Sequence, residues 1–141
     1  MPRENPVLAA LGSLELFQGL TRKELGLVAK VAKERSFKPD ETLTEEGTAG
    51  GRFYAILEGQ VSVSVKGREI HKLGPGETVG EMALIDGGPR TATVTAITPV
   101  RTITMASWNL RSLLKEHASI TYKLLVEVCR RLREADASPV A

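Results

Sequence analysis

The hydrophobic period of this chain changes twice, from helical spacing to alternation and back again, and that order limits the folds open to it. Leu25, Val28, Ala29 and Ala32 recur at helical spacing behind Thr21 and Glu24, a pair with capping-box spacing. Together they predict a helix running to about Arg35. From Ser36 the period shifts. Val61-Ser-Val-Ser-Val65 alternates strictly, and Phe53-Tyr-Ala-Ile-Leu57 is a β-rich run separated from it by Gly59. Lys66-Gly67-Arg68 marks a hairpin turn that would pair residues 61–65 with residues 69–73. Residues 91–98 and 100–105 are two more β-rich runs, split by Pro99. Helical spacing then returns over residues 108–115 and 119–133, where Ile120, Leu124, Leu125, Val128 and Leu132 form an apolar stripe. The plainest use of that stripe is packing against the β-structure. The order predicts an antiparallel barrel or sandwich flanked by helices.

At 141 residues the chain suits one domain with a real core. Its ends look less ordered. Pro2, Pro6 and Gly12 make residues 1–12 read as an irregular segment, in which residues 7–11 could form a short docking turn. Residues 135–141 read as a flexible tail. Between them Leu14, Leu16, Phe17 and Leu20 form an apolar cluster that needs a partner surface.

Lys and Arg number 19 against 17 Asp and Glu, a formal charge of +2, so direct nucleic-acid binding is not expected. One cysteine, Cys129, excludes an intrachain disulfide framework and a multi-cysteine metal site. The two histidines, His71 and His117, match no metal-ligand spacing, which argues against a cupin-like metalloenzyme. No Ser–His–Asp or Cys–His signature is present, and the expectation is a protein that is not an enzyme and carries no cofactor. Neither end resembles a signal peptide, and no apolar run approaches the ~20 residues of a membrane helix. The cytoplasm is the expected location.

The chemistry is concentrated in Val79-Gly-Glu-Met-Ala-Leu-Ile-Asp-Gly-Gly-Pro-Arg-Thr-Ala-Thr-Val94. Residues 81–85 can make one helical turn, Asp86-Gly87-Gly88 turns the chain back, and Pro89 stiffens the approach to Arg90. A short helix N-terminus and an Arg fork suit an anionic phosphate. A carboxylate beside them would repel it, unless that carboxylate reaches a sugar hydroxyl several ångströms away. The combination suggests a phosphate and a hydroxyl held at fixed separation.

Gly80-Glu81-Met82-Ala83-Leu84, with Arg90-Thr91-Ala92-Thr93 at this spacing, resembles the phosphate-binding cassette of the cyclic nucleotide-binding domain family. That family includes regulatory subunits of cyclic-AMP-dependent protein kinase, cyclic nucleotide-gated channels and bacterial catabolite activators. The likeness also covers Leu16-Phe17-Gln-Gly-Leu20, the residues 53–63, Leu73-Gly-Pro-Gly76 and the closing helices. It spans residues 13–134. The fold it implies is α+β: an antiparallel β-roll, an eight-stranded jelly-roll-like barrel, with an N-terminal helix and C-terminal helices. The ligand it implies is a 3′,5′-cyclic nucleotide, with cyclic AMP ranked slightly ahead of cyclic GMP. A fold-retaining module that no longer binds nucleotide is the main alternative, and a cyclic dinucleotide is another.

The resemblance also implies roles. Arg90 would grip the exocyclic phosphate, assisted by the backbone N–H groups of Ala83 and Thr91, with Ala92 in the same strand of contacts. Glu81 would accept from the ribose 2′-OH, and Gly80 would let the sugar approach the backbone. Val63, Leu73 and Met82 would line the base pocket, although Val63 and Leu73 serve equally well as plain barrel core. A Thr91 hydroxyl could hydrogen-bond the 2-amino group of a syn guanine. Arg131 falls where the last helix would swing over the base; one of three solvated arginines, with Arg130 and Arg133, is the bland alternative. One departure stands out: Gly50-Gly51-Arg52 occupies the place where many kinase-type members carry an acidic residue that supports the cassette Arg. Past Arg133 the tail is too short for a helix-turn-helix. The output is therefore expected from a partner or effector domain, from a homodimer through the C-terminal helices, or from the rest of a longer protein.

Overall fold

The computed structural model describes residues 6–49, 51–80 and 88–136. Three helical pieces open the chain: α1 (Pro6–Gly12), a 3-10 turn (Glu15–Phe17) and α2 (Arg22–Ala29). The irregular segment expected through residue 12 is therefore helical from Pro6 onward. Proline at the first helical position and glycine at the last are compatible with a helix, because the missing N–H is one the first turn cannot use. Leu11 is fully buried, so the segment is part of the core.

Eight strands follow among the described residues: β1 (Ala32–Phe37), β2 (Thr42–Thr44), β3 (Arg52–Glu58), β4 (Val61–Val65), β5 (Arg68–Leu73), β6 (Thr78–Val79), β7 (Thr93–Ala96) and β8 (Val100–Ala106). They form two four-stranded antiparallel sheets, ordered β1-β8-β3-β6 and β2-β7-β4-β5. The α+β β-roll is thus present as two facing sheets rather than one closed barrel. Helices α3 (Ser107–Glu116) and α4 (Ala118–Ala135) close the chain. Helix α4 takes in Ala135, the first residue of the expected tail, and the tail beyond residue 136 lies outside the described residues.

The helix expected to reach Arg35 stops at Ala29. Residues 32–37 instead pair with β8 from Ala32↔Met105 to Phe37↔Val100. Lys33, Glu34, Arg35 and Ser36 are all exposed on this edge strand, so no alternation marks it, and long-range pairing overrides the local helix preference. The hairpin between β4 and β5 forms where expected. Lys66 and Gly67 both adopt positive φ, at 52° and 78°, the conformation of a tight two-residue hairpin turn.

Two apolar clusters explain the two strand patterns. The first joins Leu11, Leu14, Leu16, Phe17, Leu20 and Val28 to Phe53, Ala55, Ile103, Met105, Leu110, Ile120 and Leu124, binding the helices to the outer face of β3 and β8. The second, between the sheets, holds Phe37, Leu43, Tyr54, Ile56, Val61, Val79, Val94, Ala96 and Val100. Strand β3 contributes Phe53 and Ala55 to one cluster and Tyr54 and Ile56 to the other. Buried on both faces, it reads as an unbroken apolar run; β4, covered on one face, alternates.

Candidate functional site

Arg90 is held by its backbone before its side chain is considered. Its N–H donates to Thr48 O at 2.9 Å, and its carbonyl accepts from Gly47 N–H at 3.0 Å. The preceding Pro89 bridges to Ala49. Downstream, Ala92 O accepts from Thr44 Oγ1 at 3.3 Å and Thr93 Oγ1 accepts from Glu46 N–H at 3.0 Å. The loop at 44–49 therefore clamps the chain on both sides of Arg90.

The side chain turns inward. Arg90 is only 8% exposed, and its Nη1 is buried with no hydrogen-bond partner among the described residues. Burial pushes the guanidinium below its ordinary pKa, partly opposed by the nearby Tyr54 phenol. A group that gives up its charge only at extreme pH is thus withdrawn from water without a counter-ion among the described residues.

Gly80 shapes this spot. Its φ is +77°, and a Cβ built there would lie 1.8 Å from Arg90 Nη1 and 2.9 Å from Arg52 O. Glycine is required because the guanidinium occupies the space a side chain would take. The family resemblance implies that Gly80 lets a sugar approach the backbone; the structure adds the approach of Arg90.

Other expected site residues are distributed unevenly. Thr91 is exposed beside Arg90. Glu81, Met82 and Ala83 lie outside the described residues. Val63 and Leu73 are partly buried against the inter-sheet cluster, Val63 across from Val94 and Leu73 across from Val61. Leu73 meets Arg131 in a cleft of about 390 Å³, also lined by Leu14, Glu15 and Thr78. Arg131 Nη2 lies 4.0 Å from Glu15 Oε2, and its Nε lies 3.5 Å from Glu127 Oε1. The structure brings Arg90 against Gly80 and places Arg131 and Leu73 along one cleft.

A second charged centre was legible only in part. Glu24 was readable as half of a capping box, and it does accept from Thr21 N–H at 2.8 Å while Thr21 Oγ1 accepts from Glu24 N–H at 3.2 Å. The same carboxylate also accepts from Ser119 Oγ and Lys123 Nζ of α4, each at 2.6 Å. No local pattern signals partners almost a hundred residues away.

Chemically, Arg90 beside Gly80 offers a buried fork of donors on a fixed backbone, a geometry suited to phosphate oxygens. Residues 34–117 match the cyclic nucleotide-binding domain family. The chain belongs to that family. It is 33% identical over 135 residues to the CRP-like cAMP-activated global transcriptional regulator of Mycobacterium tuberculosis, covering 92% of this chain and 59% of that protein. It is 37% identical over 86 residues to a cGMP-dependent protein kinase of Toxoplasma gondii, covering 61% of this chain and 9% of the kinase. Among solved structures, the N-terminal domain of a transcriptional regulator from Streptomyces coelicolor superposes with a TM-score of 0.81 at 33% identity, covering 94% of this chain and 98% of that one. The chain thus spans less than two thirds of the length of either curated relative. Among the described residues, no helix is long and apolar enough to cross a membrane.

Proposed function

We propose that residues 13–134 act as a sensor for a 3′,5′-cyclic nucleotide, cyclic AMP somewhat ahead of cyclic GMP, with α4 closing as a lid over the base. The observation that carries this reading is the buried Arg90 guanidinium, whose Nη1 has no partner among the described residues and sits against Gly80. Such a group needs an anion, and a cyclic phosphodiester supplies one negative charge and two exocyclic oxygens.

In this reading Arg90 grips the phosphate with the N–H groups of Ala83 and Thr91, Ala92 continues that wall, and Glu81 accepts from the ribose 2′-OH. Val63, Leu73 and Met82 face the base. Arg131, sharing a cleft with Leu73, stacks on the base from the lid. Lid closure requires only that the nucleotide bind the closed state better than the open one. The mycobacterial regulator's name supports cyclic AMP, and the kinase's name keeps cyclic GMP in the test.

The domain reports to an effector protein or effector domain in the cytoplasm, without contacting nucleic acid itself. Two copies pair through α4, whose Tyr122, Leu125, Val126 and Leu132 are all at least half exposed. Light scattering on wild type and Leu125→Glu tests the pairing: a dimer dissociated by the added charge supports it, and a wild-type monomer at high concentration removes it.

Thermal shift with cyclic AMP, cyclic GMP, 5′-AMP and cyclic di-GMP tests the ligand. At a cyclic mononucleotide concentration about a hundredfold above Kd, the fold should gain ~2.7 kcal/mol. The non-cyclic nucleotide should give little. No shift with either cyclic mononucleotide overturns the sensor reading.

A further inference from the structure

Two adjacent arginines of α4 share two carboxylates. Glu15 Oε1 accepts from Arg130 Nη2, and Glu15 Oε2 faces Arg131 Nη2 at 4.0 Å. Glu127, one turn earlier on α4, likewise accepts from Arg130 Nη2 and faces Arg131 Nε at 3.5 Å. Glu127 travels with the helix. Glu15 does not, because it belongs to the 3-10 turn at the start of the domain.

That turn is a firm platform. Leu14, Leu16 and Phe17 around Glu15 are 3%, 2% and 0% exposed and lie in the first apolar cluster with Ile120 and Leu124 of α4. The Glu15 backbone is therefore anchored in the core while its carboxylate stays at the surface. Leu14, Glu15 and Arg131 line one cleft with Leu73. A long, rotamer-rich arginine positioned at such a cleft loses less freedom when it meets a ligand than one left to find its place.

We infer that Glu15 is a positioning residue for base recognition: it sets the Arg131 guanidinium at the cleft without touching the nucleotide. The inference rests on the proposed sensor reading, in which Arg131 meets the base. A simple surface tie between the turn and α4 would change stability and leave affinity alone.

Calorimetric titration of the full chain with cyclic AMP and cyclic GMP separates these. Wild type, Glu15→Gln, Glu15→Asp, Arg131→Ala and the Glu15→Gln/Arg131→Ala double variant are compared, each confirmed as folded by circular dichroism. Glu15→Gln should raise Kd roughly 3- to 10-fold, as expected for a residue acting through a neighbour. Arg131→Ala should raise it at least as much, the double variant should match Arg131→Ala alone, and Glu15→Asp should recover part of the loss. An unchanged Kd in Glu15→Gln or in Arg131→Ala, or additive losses in the double variant, overturns the positioning role. If wild type binds and Arg90→Ala does not, the sensor reading survives that failure. If wild type binds neither nucleotide, both proposals fall.

Discussion

Glu24 and Arg90 are withdrawn from water to the same degree, each 8% exposed, yet the fold treats them in opposite ways. Glu24 receives Lys123, Ser119 and the Thr21 N–H, and the Lys123 contact foremost, then Ser119 and Thr21, holds its carboxyl down at about 2. Arg90 receives a glycine and leaves Nη1 without a partner among the described residues. A buried charge that folding has already satisfied is a fastening, here tying α2 to the first two turns of α4. A buried charge without a partner among the described residues is suited to an ion of opposite sign.

The sharpest way to break this comparison is Arg90→Ala. Affinity for cyclic nucleotide should fall by roughly a hundredfold or more, the scale for truncating one partner of a buried charge pair. The ligand-free melting temperature should hold or rise, because an uncompensated buried charge is removed. Calorimetry and scanning fluorimetry read the two effects. A large drop in ligand-free stability would make Arg90 a fastening like Glu24.

Gly80→Ala comes next. The new methyl would overlap the guanidinium and would require a left-handed backbone of an alanine, a cost of roughly 1–2 kcal/mol from the backbone alone. Affinity should fall about tenfold as Arg90 is displaced, a scale typical of losing good alignment in a charge-assisted hydrogen bond. Titration beside urea denaturation checks both, and unchanged affinity would mean that Arg90 does not need this cradle.

The mildest test concerns Glu24. Its carboxyl sits below the ordinary value of 4.5, at about 2. A carboxyl with a depressed folded-state pKa adds stability that is present in full above about 4.5 and disappears as pH falls toward about 2. Glu24→Gln should therefore be less stable than wild type at neutral pH, and the gap should close through that acid window. Urea midpoints from pH 6 to pH 2.5 give the answer. A gap independent of pH would assign the loss to packing rather than to charge.

Most of the β-roll was legible because burial leaves a short-range imprint: Val61 and Val63 alternate with serines, and Lys66-Gly67 takes one of the few conformations open to so tight a turn. Strand β1 is not legible in the sequence because Lys33 to Ser36 are all exposed and carry no such imprint. Helix α1 is hidden in the sequence by Pro6 and Gly12, which break a helix interior but are at home at its two ends. Near the candidate site, the resemblance singles out Gly80 and Arg90 together, and the structure does bring those two residues into contact. Glu15 was not legible, since its partners stand far along the chain on α4.

The sequence by itself determined which segments alternate, where the helices are capped and turned, and that Gly80 and Arg90 belong to one cassette. Those features depend on neighbours within a few residues, and the chain carries that information locally. Tertiary structure alone decided which partners would satisfy Glu24 and how deeply Arg90 would be buried. Lys123 lies 99 residues from Glu24. Arg90 is pinned by a loop 42 residues before it, at Thr48, and pressed by Gly80 through a positive φ that no composition predicts. Burial and pairing of charge are set by contacts between distant segments, whose free energies leave no periodic trace in either segment.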